Sequence, residues 1–289
     1  MESHELRVFQ AVAKAGSITK AAQHLGYVQS NLTARVQQLE AELNTQLFYR
    51  QRGMVLTPAG EELLKYAEQI IFLLDEASNA FLDSNSKEPT GRLVLGATHT
   101  ASAMFLPSLL AEYSKLYPKV ELSLTTGYSD ELIDKIKHFQ LHGALVKTEV
   151  KDENIIQNLV LEDELVLISP TNLEDIQSTY HQPFLMNTKG CPHREKLEMW
   201  LNSNGISSVR YLEFNHPDAI INGVVSGLGV SFVPKSSVKS LEQAGMLCTF
   251  EIPPEYSLVQ TYFIRHKDSL LTSSLSRFYD MLVLSSVLT

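Results

Sequence analysis

The stretch Gly16-Ser17-Ile18-Thr19-Lys20-Ala21-Ala22, followed by Leu25-Gly26 and then by Gln29 to Glu42 (QSNLTARVQQLEAE), decides the fold of the N-terminal part. Ser17 stands where a capping hydroxyl belongs, Ala21, Ala22 and Leu25 repeat at helical spacing, and Gly26 can end the helix in a left-handed residue. A second helix follows at once, because Leu32, Val36, Leu39 and Leu43 form another inward stripe. Two short helices joined by a tight glycine-containing turn read as a helix-turn-helix.

Upstream, Leu6, Phe9, Val12 and Ala13 recur at three and four, giving a first helix that ends near Gly16. Downstream, Leu47 to Leu56 (LFYRQRGMVL) reads as a short hairpin with Arg52-Gly53 at its tip, the place of a wing. Thr57-Pro58 is a helix start. From it Leu63, Tyr66, Ala67, Ile70, Leu73, Leu74, Ala77 and Phe81 keep a three-four rhythm, with Glu61, Glu62, Lys65, Glu68, Asp75 and Glu76 off the stripe. Three short helices offer little surface to cover so long an apolar stripe, which favours pairing with a second chain over packing on its own domain. Asp83 to Thr90 (DSNSKEPT) is polar and reads as a linker. Beyond it short apolar runs alternate with helical segments in two series, with strands expected at 92–97, 120–126, 144–146, 164–168, 184–187, 209–214, 230–233, 247–252 and 259–264. That alternation argues for parallel sheets, arranged as two α/β lobes with a cleft between them.

The chain has 289 residues, 44% hydrophobic and 20% charged, which is enough for more than one packed unit and excludes collagenous or disordered classes. Its net charge of −9 argues on its own against a nucleic-acid-coating protein. The charge is uneven, however. Residues 1–60 carry six basic residues (Arg7, Lys14, Lys20, Arg35, Arg50, Arg52) and four acids (Glu2, Glu5, Glu40, Glu42), a net of +2 that leaves −11 for the remainder. Cys191 and Cys248 suggest neither a disulfide framework nor a zinc site. The expectation is no metal or cofactor and a reducing compartment. The N-terminus lacks the basic and apolar regions of a secretion signal, and no stretch approaches ~18 consecutive apolar residues, so a cytoplasmic protein without a membrane partner is expected. Gly223-Val224-Val225-Ser226-Gly227 is not a G-x-S-x-G elbow, and no H-E-x-x-H or Walker pattern occurs.

The segments 16–22, Leu25, 29–42, Leu47-Phe48-Tyr49-Arg50 and Leu56-Thr57-Pro58-Ala59-Gly60 together resemble the LysR-type transcriptional regulators. Phe105-Leu106-Pro107, Gly190-Cys191-Pro192-His193-Arg194 and Val224 to Val230 before Phe232-Val233-Pro234 extend the likeness along the chain. The resemblance implies a winged helix-turn-helix DNA-binding domain (1–58), a dimerising linker helix and hinge (59–90) and a periplasmic-binding-protein-like effector domain (91–289). Within that domain the first lobe is about 91–161 plus 266–289 and the second about 162–265. It also implies a regulator, not an enzyme, that assembles as a dimer or dimer of dimers, binds double-stranded promoter DNA and answers to a small molecule. Three positions depart from the family pattern: Val28 where Ser is favoured, Ser30 where Pro is favoured and Ala34 where Arg is frequent.

With ~100° per residue, the side of the third helix opposite Leu32, Val36 and Leu39 carries Ser30, Thr33, Ala34 and Gln37. Gln29, Ser30, Asn31 and Thr33 are therefore the candidates for reading base edges, and Arg35, Arg50 and Arg52 for phosphates or a minor groove. Gln29 and Ser30 could instead satisfy backbone amides at the helix start. Ligands of a two-lobed α/β domain bind where loops leave the carboxyl ends of strands. That selects His99, Thr100 and Ser102, then Tyr128 and Ser129, then Asn187, Cys191, His193 and Arg194, and finally Asn215, with a lean towards an anionic effector. Thr100, Ser102 and Ser129 could equally cap helices, and Arg194 could pair with Glu198 four residues on. Some members of the family sense peroxide through a cysteine in the region of Cys191.

Overall fold

The computed structural model describes residues 1–50, 53–85, 88–173, 175–187, 191–206 and 208–286. The chain opens with three helices, α1 (Ser3–Ala15), α2 (Ile18–Leu25) and α3 (Gln29–Glu42), a two-stranded hairpin of β1 (Phe48–Tyr49) and β2 (Val55–Leu56), and the long α4 (Pro58–Asn85). Gly16 ends α1 at φ 59°, Ser17 Oγ accepts from the Lys20 amide, and Gly26 ends α2 at φ 70°, so both breaks fall where the sequence put them. Leu6, Phe9, Val12, Leu32, Val36 and Leu39 meet in one buried core with Leu47 and Phe48. Leu43 departs from its expected inward place: it is the C-cap of α3 and stays 38% exposed. Thr57 caps α4 through its hydroxyl, 3.1 Å from the Gly60 amide, while donating to the Gln46 carbonyl at 2.7 Å. Gly60 packs so closely that a Cβ there would stand 2.2 Å from the Leu47 carbonyl oxygen.

α4 divides its apolar residues between two faces, and the single outward stripe expected from the sequence is corrected accordingly. Ala67 and Ile71 are buried against the head core, with Leu63 and Leu64 packed on it, whereas Tyr66, Ile70, Leu73 and Leu74 are exposed. Glu76, expected on the polar side, is buried as well. The helix also runs through Asp83 and Ser84 into the stretch expected as linker; the Phe81 side chain lies outside the described residues.

The remainder follows as β3 (Gly91–Thr98), α5 (His99–Met104), α6 (Leu106–Leu116), β4 (Val120–Gly127), α7 (Ser129–Lys137), β5 (Gly143–Val146), β6 (Ile155–Ser169), α8 (Ile176–Thr179), β7 (Phe184–Met186) and α9 (Pro192–Ser203). Then come β8 (Tyr211–Glu213), α10 (Pro217–Val225), β9 (Ser231–Pro234), α11 (Lys239–Gln243), β10 (Cys248–Glu251), α12 (Pro254–Ser257), β11 (Leu258–His266) and α13 (Ser273–Ser286). The main sheet has the order β10-β6-β11-β5-β3-β4, with β9 also paired to β6. Only β3 with β4 and with β5 are parallel in it; the pairs made by β6 and β11 are antiparallel. The expectation of purely parallel sheets fails there because β6 and β11 are long crossing strands that run in opposite directions from one lobe to the other. Val160 and Phe263 belong to the first lobe's core, Leu165 and Val259 to the second's. The register slips between Thr261 and Tyr262, opposite Leu161 and Leu159, so a bulge at Val160 of β6 marks the crossing. The second crossing thus falls a few residues before the expected 265/266, since an unbroken strand carries no boundary signal in its sequence.

Candidate functional site

The head presents the N-terminal turn of α3. Gln29, Ser30 and Asn31 are exposed, and Thr33 and Arg35 are half-buried. Thr33 donates its hydroxyl to the Gln29 carbonyl at 3.0 Å, Thr19 donates to Gln29 Oε1 at 3.1 Å, and Arg35 Nε donates to Asn31 Oδ1 at 3.2 Å. These contacts fix rotamers on the exposed face and leave the Gln29 amide nitrogen and the terminal nitrogens of Arg35 without a hydrogen bond among the described residues. Val28, at the N-cap, is 72% exposed and supplies no capping bond, so an apolar side chain sits beside the polar ones. Arg50 is held by Glu40 at 2.5 Å, and that buried carboxylate also accepts the Leu47 and Phe48 amides at 2.9 and 3.3 Å. The wing base is thereby tied to α3, with half of the Arg50 side chain still exposed. Arg52 lies outside the described residues.

Between the lobes lies a cavity of about 590 Å³. His99, Thr100, Tyr128, Ser129, Asn187, Cys191, His193 and Asn215 all line it, so four distant segments do converge. The lobes touch across its mouth: Tyr128 Oη donates to the Asn215 carbonyl at 3.5 Å, and the His99 ring lies 5.8 Å from Tyr128 and 5.7 Å from His216. Ser129 Oγ accepts from the Lys147 amide at 3.2 Å, and Asn187 Nδ2 donates to Cys191 Sγ at 3.6 Å. Cys191 and Cys248 are both free and half-buried.

Two expected residues stand elsewhere. Ser102 lines a smaller neighbouring depression and spends its hydroxyl on the His99 carbonyl at 2.8 Å. Arg194 is corrected as a candidate anion clamp. It is buried and reaches Glu198 at 3.0 Å, Glu213 at 2.7 Å and the Asn187 carbonyl at 3.2 Å, with its guanidinium 4.3 Å over the Tyr211 ring. Its Nε and Nη1 donors and its π face are engaged within the protein. His193 is on the wall but burial holds its imidazole at a pKa of about 3, so it enters as a neutral group.

The missing cation is one the sequence reading passed over. Lys147 follows β5 into the cavity, and among the described residues its ammonium makes no hydrogen bond or ion pair. Desolvation brings its pKa down to about 8, against weaker opposing pulls from Asp163 and Cys191. Two buried hydroxyls on the walls, of Thr98 in one lobe and Ser237 in the other, also lack partners among the described residues. Met186, Ile220, Ile221, Phe232 and Val233 form an apolar wall, and Asp130 lies exposed at the rim. Lys147 obeyed the same strand-end rule that selected the other segments. The apolar wall is assembled from strand and helix interiors and has no local signature. No group of residues able to hold a metal ion occurs among the described residues, and no helix among them is long and apolar enough to cross a membrane.

Comparison with known proteins gives two family matches: a bacterial regulatory helix-turn-helix protein of the lysR family over residues 3–61, and a LysR substrate binding domain over residues 86–284. The HTH-type transcriptional regulator YusT of Bacillus subtilis is 46% identical over 97% of this chain and 95% of its own length. YofA of Bacillus velezensis is 44% identical over 95% of both. The crystal structure of CbnR, a LysR family transcriptional regulator, superposes with a TM-score of 0.74 over 99% of both chains at 21% identity, a likeness of fold.

Proposed function

The chain belongs to the LysR family of transcriptional regulators, with a helix-turn-helix DNA-binding part and an effector-binding domain, and from that premise we propose how its own residues divide the work. Residues 1–58 read DNA, 59–90 pair two chains through the exposed Tyr66, Ile70, Leu73 and Leu74, and 91–289 sense an effector in the cytoplasm. Gln29, Ser30, Asn31 and Thr33 meet base edges, while Arg35, Arg50 and Arg52 meet phosphates. A head of net +2 neutralises few phosphates by itself, so useful affinity requires two or four heads on one assembly. A full-length relative, CbnR, has been solved with its target DNA, which supports the same use of the head.

One observation carries the sensing half: the half-buried ammonium of Lys147, with no hydrogen-bond or ion-pair partner among the described residues, in the wall of a cavity between two lobes. It favours a small anion, its charge on Lys147 and any further polar atoms on Thr98 and Ser237, with its apolar body against Ile220, Ile221 and Phe232. The regulator reading is tested by sequencing the genomic DNA retained by the purified full-length protein. Enrichment of a discrete two-fold site supports it, and uniform recovery across the genome contradicts it.

A further inference from the structure

α7 touches the cavity with one end and the linker helix with the other. Its N-terminal residues Tyr128 and Ser129 line the effector cavity, and its C-terminus delivers Phe139 and Gln140. Phe139 adopts φ 52°, an uncommon conformation for a bulky side chain. Its ring stands 6.4 Å from Phe72 of α4 and 4.1 Å from His266 at the end of the crossing strand β11. Gln140 donates to Glu68 of α4 at 2.6 Å, and the same carboxylate faces Lys14 of α1 at 3.9 Å. One turn on from Phe72, Arg7 of α1 grips Asp75 at 2.5 Å. Head, linker helix and effector domain therefore meet along one seam.

That seam has a weak point. Glu76 is buried; the Leu270 amide faces its carboxylate, but among the described residues neither oxygen makes a full hydrogen bond, and the buried hydroxyl of Ser269, next to Leu270, has no partner there either. Burying a carboxylate with so little hydrogen bonding opposes docking, so this contact weakens the seam.

We propose that α7 is a strut linking the effector cavity to the seam, and that the seam is a two-state latch between linker helix and effector domain, kept releasable by Glu76. This rests on the regulator reading only for its purpose, since the latch is a property of the chain without DNA or effector. A helix of nine residues whose Leu132 and Ile136 are buried in one cluster with Leu141, Ala144, Val146 and Ile264 moves as a rigid piece, so a shift at Ser129 reappears at Phe139 and Gln140. By linkage the effect runs both ways: whatever tightens the seam must also alter the cavity end.

Ionisation gives the latch a signature. Burial lifts the Glu76 pKa to about 7, with the Leu270 amide offsetting part of the shift. Docking is therefore strongest where Glu76 is protonated in both states, and it weakens as pH rises from the ordinary carboxylate range to about 7, levelling off beyond. The other titratable groups on the seam are His142, against Phe72 at 4.6 Å, and His266 with Asp268 on the effector side, and Asp75 and Glu68 with their partners Arg7 and Lys14 on the helix side. Both histidines are lowered by burial and favour the docked state at higher pH, opposite to Glu76.

The test is amide hydrogen exchange of the full-length protein, comparing wild type, Glu76→Gln and Phe72→Leu at pH 8 and pH 5. At pH 8, Glu76→Gln slows exchange at least tenfold in 66–77 and 138–142, and measurably in the cavity loop 127–131. Phe72→Leu speeds all three segments. The gap between Glu76→Gln and wild type shrinks at pH 5. Unchanged exchange in both variants overturns the latch. Changes confined to the seam overturn the strut, and a gap of equal size at both pH values removes Glu76 as the weak point. Selective retention of DNA is independent of these outcomes, so its failure and theirs are distinguishable.

Discussion

The head and the cavity place their cations in opposite ways. In the head Arg50 is anchored by a buried glutamate and still half exposed, so one side chain both braces the wing and faces outward. In the effector domain the two jobs are split: Arg194 is engaged by Glu198, Glu213 and Tyr211, while Lys147 has no hydrogen-bond or ion-pair partner among the described residues. A surface that meets a polyanion can use partly engaged charges, because the ligand brings many phosphates. A cavity that must hold one small anion gains most from a charge with no internal rival.

The largest effect should come from breaking the multiplicity that the weakly charged head depends on. Ile70→Glu with Leu73→Glu, both on the exposed stripe, is expected to leave the fold intact and to yield monomers by sedimentation. Operator affinity in an anisotropy titration at fixed salt should then fall by a factor on the order of a hundred or more. Next in size is the contrast between the two effector-domain cations. Arg194→Met abandons two carboxylates and an aromatic face and should lower the stability of the domain by about 3 kcal/mol in urea unfolding. Lys147→Met should cost nothing there, since it removes a desolvated charge that has no partner among the described residues. Smaller again, Thr33→Ala should relax base preference at one position of the selected site by roughly 1 kcal/mol, whereas Arg50→Gln should weaken all sequences alike and reduce the salt slope by about one.

Much of the head was legible because its signals are local. Ser17, Gly16, Gly26 and Thr57-Pro58 are caps, and a cap's partners lie within four residues. Leu43 was misjudged because a stripe does not say where its helix ends. The double role of α4 was hidden since Ala67 and Ile71 interleave with Tyr66, Ile70 and Leu73 on adjoining faces of one helix, and only tertiary packing separates them. In the effector domain the strand-end rule found eight lining residues from four segments, but it took Arg194 for the cation and left out Lys147. That choice depends on Glu213, nineteen residues from Arg194, and on Tyr211, both brought up by β8. The antiparallel pairs of β6 and β11 were equally unreadable, because direction in a sheet is set by partners far along the chain.

The most direct measurement is a thermal-shift titration of the full-length protein and its Lys147→Met and Arg194→Met variants. The probes are a panel of small mono- and dicarboxylates, with the corresponding amides as neutral controls. The account predicts that wild type and Arg194→Met are stabilised by a subset of the carboxylates and not by their amides, that Lys147→Met is not, and that the wild-type response is steady below about pH 8 and declines above it as Lys147 loses its proton. Stabilisation that survives in Lys147→Met, or that the amides reproduce, would contradict it.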